Sequence, residues 1–214
     1  MRIERRRVLV AVAALALVPR VAAESLLDEL ATDVANDRAD AVRRLLARGM
    51  DPNSVDANGE PMLCIAARNG SVNAVRALLD AKANPNVANR YGDTPLMLAS
   101  IKGNLEIVRM LVGAKATLDP PGWTPLIYAA TGGHHPVVDY LIDHGANLDA
   151  RSPNGTTALM MAVHEHHART AQLLIDRGAD VTVRNQDGAS ALSWAKVNNE
   201  DALIRELRRA GARD

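Results

Sequence analysis

The clustered histidines are the residues of this chain that could most readily bind a metal ion. All six histidines lie in one stretch of the sequence: His134, His135, His144, His164, His166 and His167. Neutral imidazole is a common ligand of zinc and copper, and histidine also titrates near neutral pH. If the two ends of this stretch meet in space, they could form a metal site. A histidine-cluster metal-binding protein is therefore the alternative functional hypothesis, against the ordinary interpretation of solvated loop histidines.

Catalytic motifs are absent from the sequence. It contains no G-x-S-x-G nucleophile elbow, no phosphate-binding glycine loop and no H-E-x-x-H zinc motif. We therefore predict that the chain is not an enzyme, has no catalytic residues and needs no cofactor. Cys64, Met97 and Met160 could be taken for thioether copper ligands, but soft packing in a core is the better interpretation.

A repeat of about 33 residues determines the architecture. Five glycines, at positions 59, 92, 122, 155 and 188, are separated by 33, 30, 33 and 33 residues. Two residues after Gly92, Thr94 and Pro95 form a helix start, because a threonine hydroxyl caps free N–H groups and proline suits the first helical position. Such a period predicts stacked repeats rather than a globule with one central pocket.

Each repeat should contain two helices. A first helix after Thr94 should end near Gly103, and a second should bury Ile107, Val108 and Leu111 along one face. The expected left-handed residues after the second helices are glycines in four copies and lysines in two: Gly49, Lys82, Lys115, Gly145, Gly178 and Gly211.

The segments Gly92-Asp93-Thr94-Pro95-Leu96 and Gly145-Ala146-Asn147 resemble the ankyrin repeat family. The resemblance implies an all-α ankyrin repeat solenoid of stacked helix-turn-helix units with short β-turn fingers. It assigns residues 24–214 to one repeat domain, with units 28–60, 61–93, 94–123, 124–156, 157–189 and 190–214. The first and last units are degenerate, as expected of caps that face water. His134 and His167 fall where the family often has a structural loop histidine.

Two departures from the family pattern are informative. The connection from Lys115 to Gly122 is three residues shorter than its neighbour and contains Pro120-Pro121, so we predict a short, stiff finger. The position that holds a loop-tying histidine in the family is occupied by other residues, so hydrophobic packing is expected to replace its hydrogen bonds. These residues are Cys64, Met97, Ile127, Met160 and Ser193.

The first 23 residues resemble an export signal. Several arginines precede an apolar run from Val8 to Val18, and Val21-Ala22-Ala23 offers the small residues that signal peptidase requires. We predict a signal peptide over residues 1–23, cleavage before Glu24 and a periplasmic location. The apolar run is shorter than the roughly 20 residues that span a bilayer, so no membrane span is expected after cleavage. Arg6-Arg7 leaves the choice between general secretory and twin-arginine export open.

Charge and cysteine content limit the possible partners. Removal of residues 1–23 leaves 20 basic and 24 acidic residues, a net charge of −4. This mild acidity argues against nucleic-acid binding, which relies on a positive surface. The single cysteine excludes an internal disulfide, so Cys64 should be buried.

The function predicted from these features is non-catalytic protein binding by an exported monomer. The family resemblance implies contact through a concave face formed by the fingertips and the exposed ends of the first helices. Small exported ankyrin proteins are associated with partner enzymes, such as catalase, but this identifies no partner here. Tyr91, Trp123 and Arg90 are residue types that often dominate interfaces, although Trp123 could instead cover its own finger. The predicted contact residues are Arg68, Asn69, Arg90, Tyr91, Asp93, Ile101, Lys102, Trp123, Thr131, Thr156, His164 and Glu165.

Overall fold

The computed structural model describes residues 20–213, with side chains from residue 25 onward. This range contains twelve α-helices and no β-strand beyond isolated bridges, which confirms the all-α prediction. Isolated bridges join Val55 to Pro61 and Arg184 to Ser190. The chain divides into two compact parts: an N-terminal part that ends at Asn84 and a C-terminal part that begins at Pro85. None of the described helices is both long and apolar enough to cross a membrane.

The N-terminal part contains four helices: α1 (Arg20–Ala35), α2 (Ala39–Ala47), α3 (Met62–Asn69) and α4 (Val72–Asp80). Helix α1 contacts the other three, and α4 also contacts α2 and α3. Their core is built on Leu30, Val42, Leu63 and Leu78, all essentially inaccessible to solvent. The predicted signal peptide lies outside the described residues except for its last four, which form the first turn of α1.

The C-terminal part contains four helical hairpins. The first helices, seven residues each, are α5 (Pro95–Ile101), α7 (Pro125–Thr131), α9 (Ala158–His164) and α11 (Ala191–Val197). The second helices, nine residues each, are α6 (Leu105–Gly113), α8 (His135–Asp143), α10 (Ala168–Asp176) and α12 (Asp201–Arg209). Successive first helices contact one another, and so do successive second helices. The part is therefore two layers of helices with the apolar core between them.

Hydroxyl side chains cap the first helices, as predicted for Thr94. The Thr94 hydroxyl accepts a hydrogen bond from the N–H of Met97, and the Thr124 hydroxyl accepts one from Ile127. Thr157 and Ser190 cap α9 and α11 in the same way. Because each cap satisfies an N–H that the helix leaves free, these short helices have defined start points.

Left-handed residues follow the second helices at every predicted position. The glycines at 49, 145, 178 and 211 have φ angles between 88° and 106°, while Lys82 and Lys115 adopt φ of 68° and 69°. The prediction that lysine replaces glycine in this strained conformation is confirmed.

The residues Cys64, Met97, Ile127 and Met160 at the family's histidine position are all buried, as the prediction of apolar packing requires. The Met97 sulfur nevertheless accepts a hydrogen bond from the Thr94 N–H at 3.3 Å. Ser193 is only half-buried, and its hydroxyl accepts from the Ser190 N–H at 2.8 Å and caps α11 reciprocally. The first and the last of the C-terminal hairpins thus form a hydrogen bond at this position.

Candidate protein-binding surface

A closed turn holds Tyr91 out from the body of the C-terminal part. The Asn89 side-chain oxygen accepts from the N–H groups of Tyr91 and Asp93, both at 2.9 Å, and Gly92 has a φ of 86°. Tyr91 is 70% exposed. The Arg90 guanidinium carbon lies 4.8 Å from the centre of the Tyr91 ring, within cation–π range. This fingertip therefore presents an arginine and an aromatic ring on a fixed backbone.

The next finger is shortened without loss of the hydrogen bond that links adjacent hairpins. In regular connections this bond runs from a backbone N–H to a side-chain oxygen, as from Thr117 to Asn86 at 2.7 Å. Asp119 takes the same role in the short connection and accepts from the Asn147 N–H at 3.0 and 3.1 Å. The three missing residues therefore fall after Asp119, between this link and Trp123.

Trp123, Tyr128 and Asp93 form one connected group beside the short finger. The rings of Trp123 and Tyr128 meet edge to face, with centroids 6.2 Å apart and an interplanar angle of 81°. The Tyr128 hydroxyl donates to the Asp93 carboxylate at 2.5 Å. Burial, together with this bond, raises the pKa of Tyr128 above its ordinary value. Trp123 packs on Tyr128 yet stays 38% exposed, so it supports its finger and still offers a surface to solvent.

The first helices add an apolar row that the sequence analysis missed. Leu98, Tyr128, Met161 and Trp194 each lie four residues after the cap of their helix. Tyr128, Met161 and Trp194 are half-buried, and the Trp194 ring lies 5.0 Å from that of His164. In the sequence, the 33-residue spacing of Tyr128, Met161 and Trp194 could have predicted this row.

The remaining predicted contact residues differ in accessibility. Lys102, His164 and Glu165 are exposed, and His164 Nδ1 donates to the Glu165 carboxylate at 2.9 Å. Ile101 and Thr131 are only half-buried rather than fully exposed. In the N-terminal part, Arg68 is ion-paired with Glu60 and Asn69 is exposed.

Thr156 is a correction to the predicted set. It is 1% exposed, because its N–H donates to the Ser152 hydroxyl at 3.0 Å and its carbonyl accepts from the Ser152 N–H at 3.0 Å. This closed finger draws Thr156 inward, so it cannot reach a partner.

The histidines are distributed among separate contacts rather than gathered. His134 Nε2 donates to the Ile101 carbonyl at 2.9 Å, and His167 Nε2 donates to the Thr131 carbonyl at 3.0 Å. Both contacts link one hairpin to the preceding one, which confirms the structural interpretation. His166 Nδ1 instead contacts the Glu200 carboxylate at 2.9 Å.

A metal site is not formed by these residues. In residues 20–213 no three histidine, cysteine, aspartate or glutamate side chains come together in a group that could hold a metal ion. His134 and His167 each direct an imidazole nitrogen to a backbone carbonyl of the preceding hairpin rather than to another histidine. The metal-binding alternative therefore has no support.

Comparison with known proteins agrees with this architecture. A family model described as ankyrin repeats (3 copies) matches residues 30–120 and 114–185. The chain belongs to the ankyrin repeat family. Among solved structures, it is similar to the crystal structure of an ankyrin repeat domain from Acinetobacter baumannii AYE, with 29% sequence identity and a TM-score of 0.78. That match covers 86% of this chain and 98% of the other chain.

No curated protein matches the chain. The prediction of an ankyrin repeat solenoid is confirmed by the family and structural matches. Ankyrin repeats generally mediate protein–protein interaction, and the fold is typically non-catalytic. A fold shared with 595 matching solved chains does not identify the partner, because function depends on the residues carried by the fold.

Proposed function

We propose that this chain is an exported, non-catalytic module that binds a partner protein through the fingers and first helices of its C-terminal part. The observation that carries the proposal is the exposure of Tyr91 and Trp123 on defined turns. Large aromatic residues that dominate binding are usually presented in this way, and a fixed backbone reduces the entropy lost on association.

The distribution of aromatic residues supports the choice of surface. The chain has two tryptophans, three tyrosines and no phenylalanine. Tyr91, Trp123, Tyr128 and Trp194 all lie in fingers or first helices. Tyr140 alone lies on a second helix, where the Arg109 guanidinium covers its ring at 4.9 Å.

Export completes the proposal. The charged and apolar pattern of residues 1–23 supports a cleaved signal, and the partner is then a periplasmic protein, with an enzyme as the class that the family resemblance implies. We further propose that the mature chain acts as a monomer.

Affinity capture from a periplasmic extract tests the proposal. The double variant Tyr91→Ala/Trp123→Ala should lose the protein that the unmodified chain retains, while Tyr140→Ala should keep it. Tyr140 is a matched control because it is an aromatic residue on the other helical layer. Equal capture by all three proteins would contradict the proposed surface, and a large loss of melting temperature in the double variant would show that its residues are structural.

A further inference from the structure

We propose that a cavity beside the last hairpin, named here the Arg184 cavity, binds a phosphate group. Its lining consists of three cationic side chains, two serines and one leucine: Arg184, Lys196, Arg213, Ser190, Ser193 and Leu192. The lining includes neither Tyr91 nor Trp123, so the inference goes beyond the proposed function and does not depend on it.

The lining of the Arg184 cavity carries charge of one sign. Among the described residues, no carboxylate side chain lines it. The groove between α8 and α10 differs, because Arg169 shares it with Asp139 and Asp176. Since no carboxylate of the lining offsets the cations of the Arg184 cavity, an anion placed there is attracted by three positive side chains at once.

Backbone contacts fix the position of the Arg184 guanidinium. An isolated antiparallel bridge joins Arg184 to Ser190. The Arg184 side chain donates from Nη1 to the Gly188 carbonyl at 3.0 Å and from Nη2 to the Arg213 carbonyl at 3.5 Å. These bonds use two of the five guanidinium N–H groups. The guanidinium is therefore held in place before an anion arrives, which reduces the entropy lost on binding.

Helix α11 supplies another wall of the cavity. Ser193 and Lys196 are three residues apart, so they share one face of the helix. The Ser193 N–H donates to the Ser190 hydroxyl at 3.2 Å, so the positive charge of the cavity comes from side chains and not from the start of the helix. Lys196 occupies the repeat position of Ala130 and Val163, which are fully buried, yet it is exposed. A charged group therefore lies where the two preceding hairpins have an apolar side chain.

Size and charge select the ligand. The cavity measures about 140 Å³, whereas sites for drug-sized molecules measure roughly 300–1,000 Å³, so the cavity suits a small anionic group. The arginine fork matches the oxygens of both phosphate and carboxylate. A phosphate monoester carries about −1.5 to −2 charges near pH 7 and three acceptor oxygens, while a carboxylate carries one negative charge and two oxygens. Three cations therefore favour phosphate.

Amide NMR titration of the full chain with inorganic phosphate, at constant pH and ionic strength, tests the inference. Saturable shifts are expected at the amides of Ser190, Ser193 and their neighbours, and acetate should bind much more weakly. Lys196→Gln should weaken phosphate binding by about tenfold. Arg205→Gln is the matched control, because it removes an exposed cation of α12 that does not line the cavity. Its dissociation constant should change by less than about twofold. Circular dichroism melts establish that each variant is folded.

A second titration, with glycerol 3-phosphate, distinguishes the source of the phosphate. Binding at least as tight as that of inorganic phosphate would assign the cavity to a phosphate carried by a larger molecule, and weaker binding would assign it to the free ion; either result supports the inference. No saturable shift at millimolar phosphate, an equal response to acetate, or equal weakening in Lys196→Gln and Arg205→Gln would overturn it. Tyr91→Ala/Trp123→Ala should bind phosphate as the unmodified chain does, which separates this site from the partner-binding surface.

Discussion

The imidazole of His134 fills the space that a side chain at Gly103 would need. A Cβ added at residue 103 would lie 2.3 Å from His134 Nδ1. The same arrangement recurs one hairpin later, where a Cβ at Gly133 would lie 2.6 Å from the His167 ring. Each glycine also has a positive φ, near 70°. In both places, an imidazole ring of one hairpin therefore packs directly on the glycine backbone of the preceding hairpin.

Other hairpins show that this loop position accepts a side chain where no imidazole is inserted. Asp37 and His166 occupy the same loop position with φ of 56° and 61°. The following hairpins carry Ser71 and Glu200 in place of the inserted imidazole. A side chain can then occupy the loop, and His166 uses the space to contact Glu200.

Gly103→Ala should destabilise the chain more than alanine at a glycine that has open space around it. The methyl group would displace His134 in addition to straining the backbone, so we expect a loss of about 2–4 kcal/mol in the free energy of unfolding by urea. Gly92→Ala is the matched control, because its φ is 86° but no atom lies within 4 Å of the added Cβ. Its cost should be only about 1–2 kcal/mol. Equal losses would show that the histidine contact is unimportant.

Lys115→Gly should stabilise the chain. Lys115 adopts a φ of 69° after α6, a conformation in which a non-glycine residue costs about 1–2 kcal/mol. The gain in the midpoint of urea unfolding should correspond to about 1 kcal/mol, reduced by the greater freedom of glycine in the unfolded chain. The reciprocal variant Gly145→Lys, at φ 92°, should lose stability; a loss in both variants would contradict the explanation.

Removal of two buried hydroxyl groups should also stabilise the fold. Ser100 and Thr170 are fully buried, and their hydroxyl oxygens have no hydrogen-bond partner among the described residues. Ser100→Ala and Thr170→Val should each raise the free energy of unfolding by about 1 kcal/mol, since a buried unsatisfied polar group is costly. Thr124→Val serves as the contrast: its hydroxyl caps α7, so this variant should lose about 1 kcal/mol. Destabilisation by all three would indicate that the hydroxyls are satisfied.

Tyr128 should cause the free energy of unfolding to fall as the pH rises into the alkaline range. Burial and the bond to Asp93 raise the Tyr128 pKa above the ordinary value of 10.0. Above about pH 10, the unfolded chain loses this proton while the folded chain retains it, so the stabilisation is complete below that pH and declines above it. Urea unfolding at several pH values should show the unmodified chain approaching Tyr128→Phe in stability as pH rises. A constant difference between them would refute the linkage.

The export prediction can be measured directly. Periplasmic protein from cells that express the full chain should have the mass of residues 24–214, because cleavage is predicted before Glu24. Ala23→Asp should block processing, since signal peptidase requires a small residue there. Full-length protein confined to the cytosol in both cases would contradict export.

Much of the local structure followed from the sequence because it depends on residues close together in the chain. Thr94 and Pro95 predicted the start of α5, and the helix-ending position of Lys115 followed from its alignment with glycine. Helix caps and left-handed turns are formed within a few residues. Their repetition also predicted the stacked architecture.

The accessible surface could not be derived in the same way. Trp123 and Thr156 occupy the same repeat position, directly before a cap, yet Trp123 is 38% and Thr156 1% exposed. The difference follows from the fingers that precede them. The finger before Thr156 is closed by hydrogen bonds to Ser152, whereas the finger before Trp123 is three residues shorter.

By itself, the sequence determined the hairpin unit, its period and its family. The tertiary structure decided that the His134 ring packs on Gly103 rather than joining a metal site. It also decided that the Tyr128 hydroxyl bonds to Asp93 while its ring packs beside Trp123. These relationships join residues about 30 positions apart, so they depend on how one hairpin is set against the next. Periodicity predicts that hairpins stack, but the packed side chains determine which groups meet and which remain free to bind.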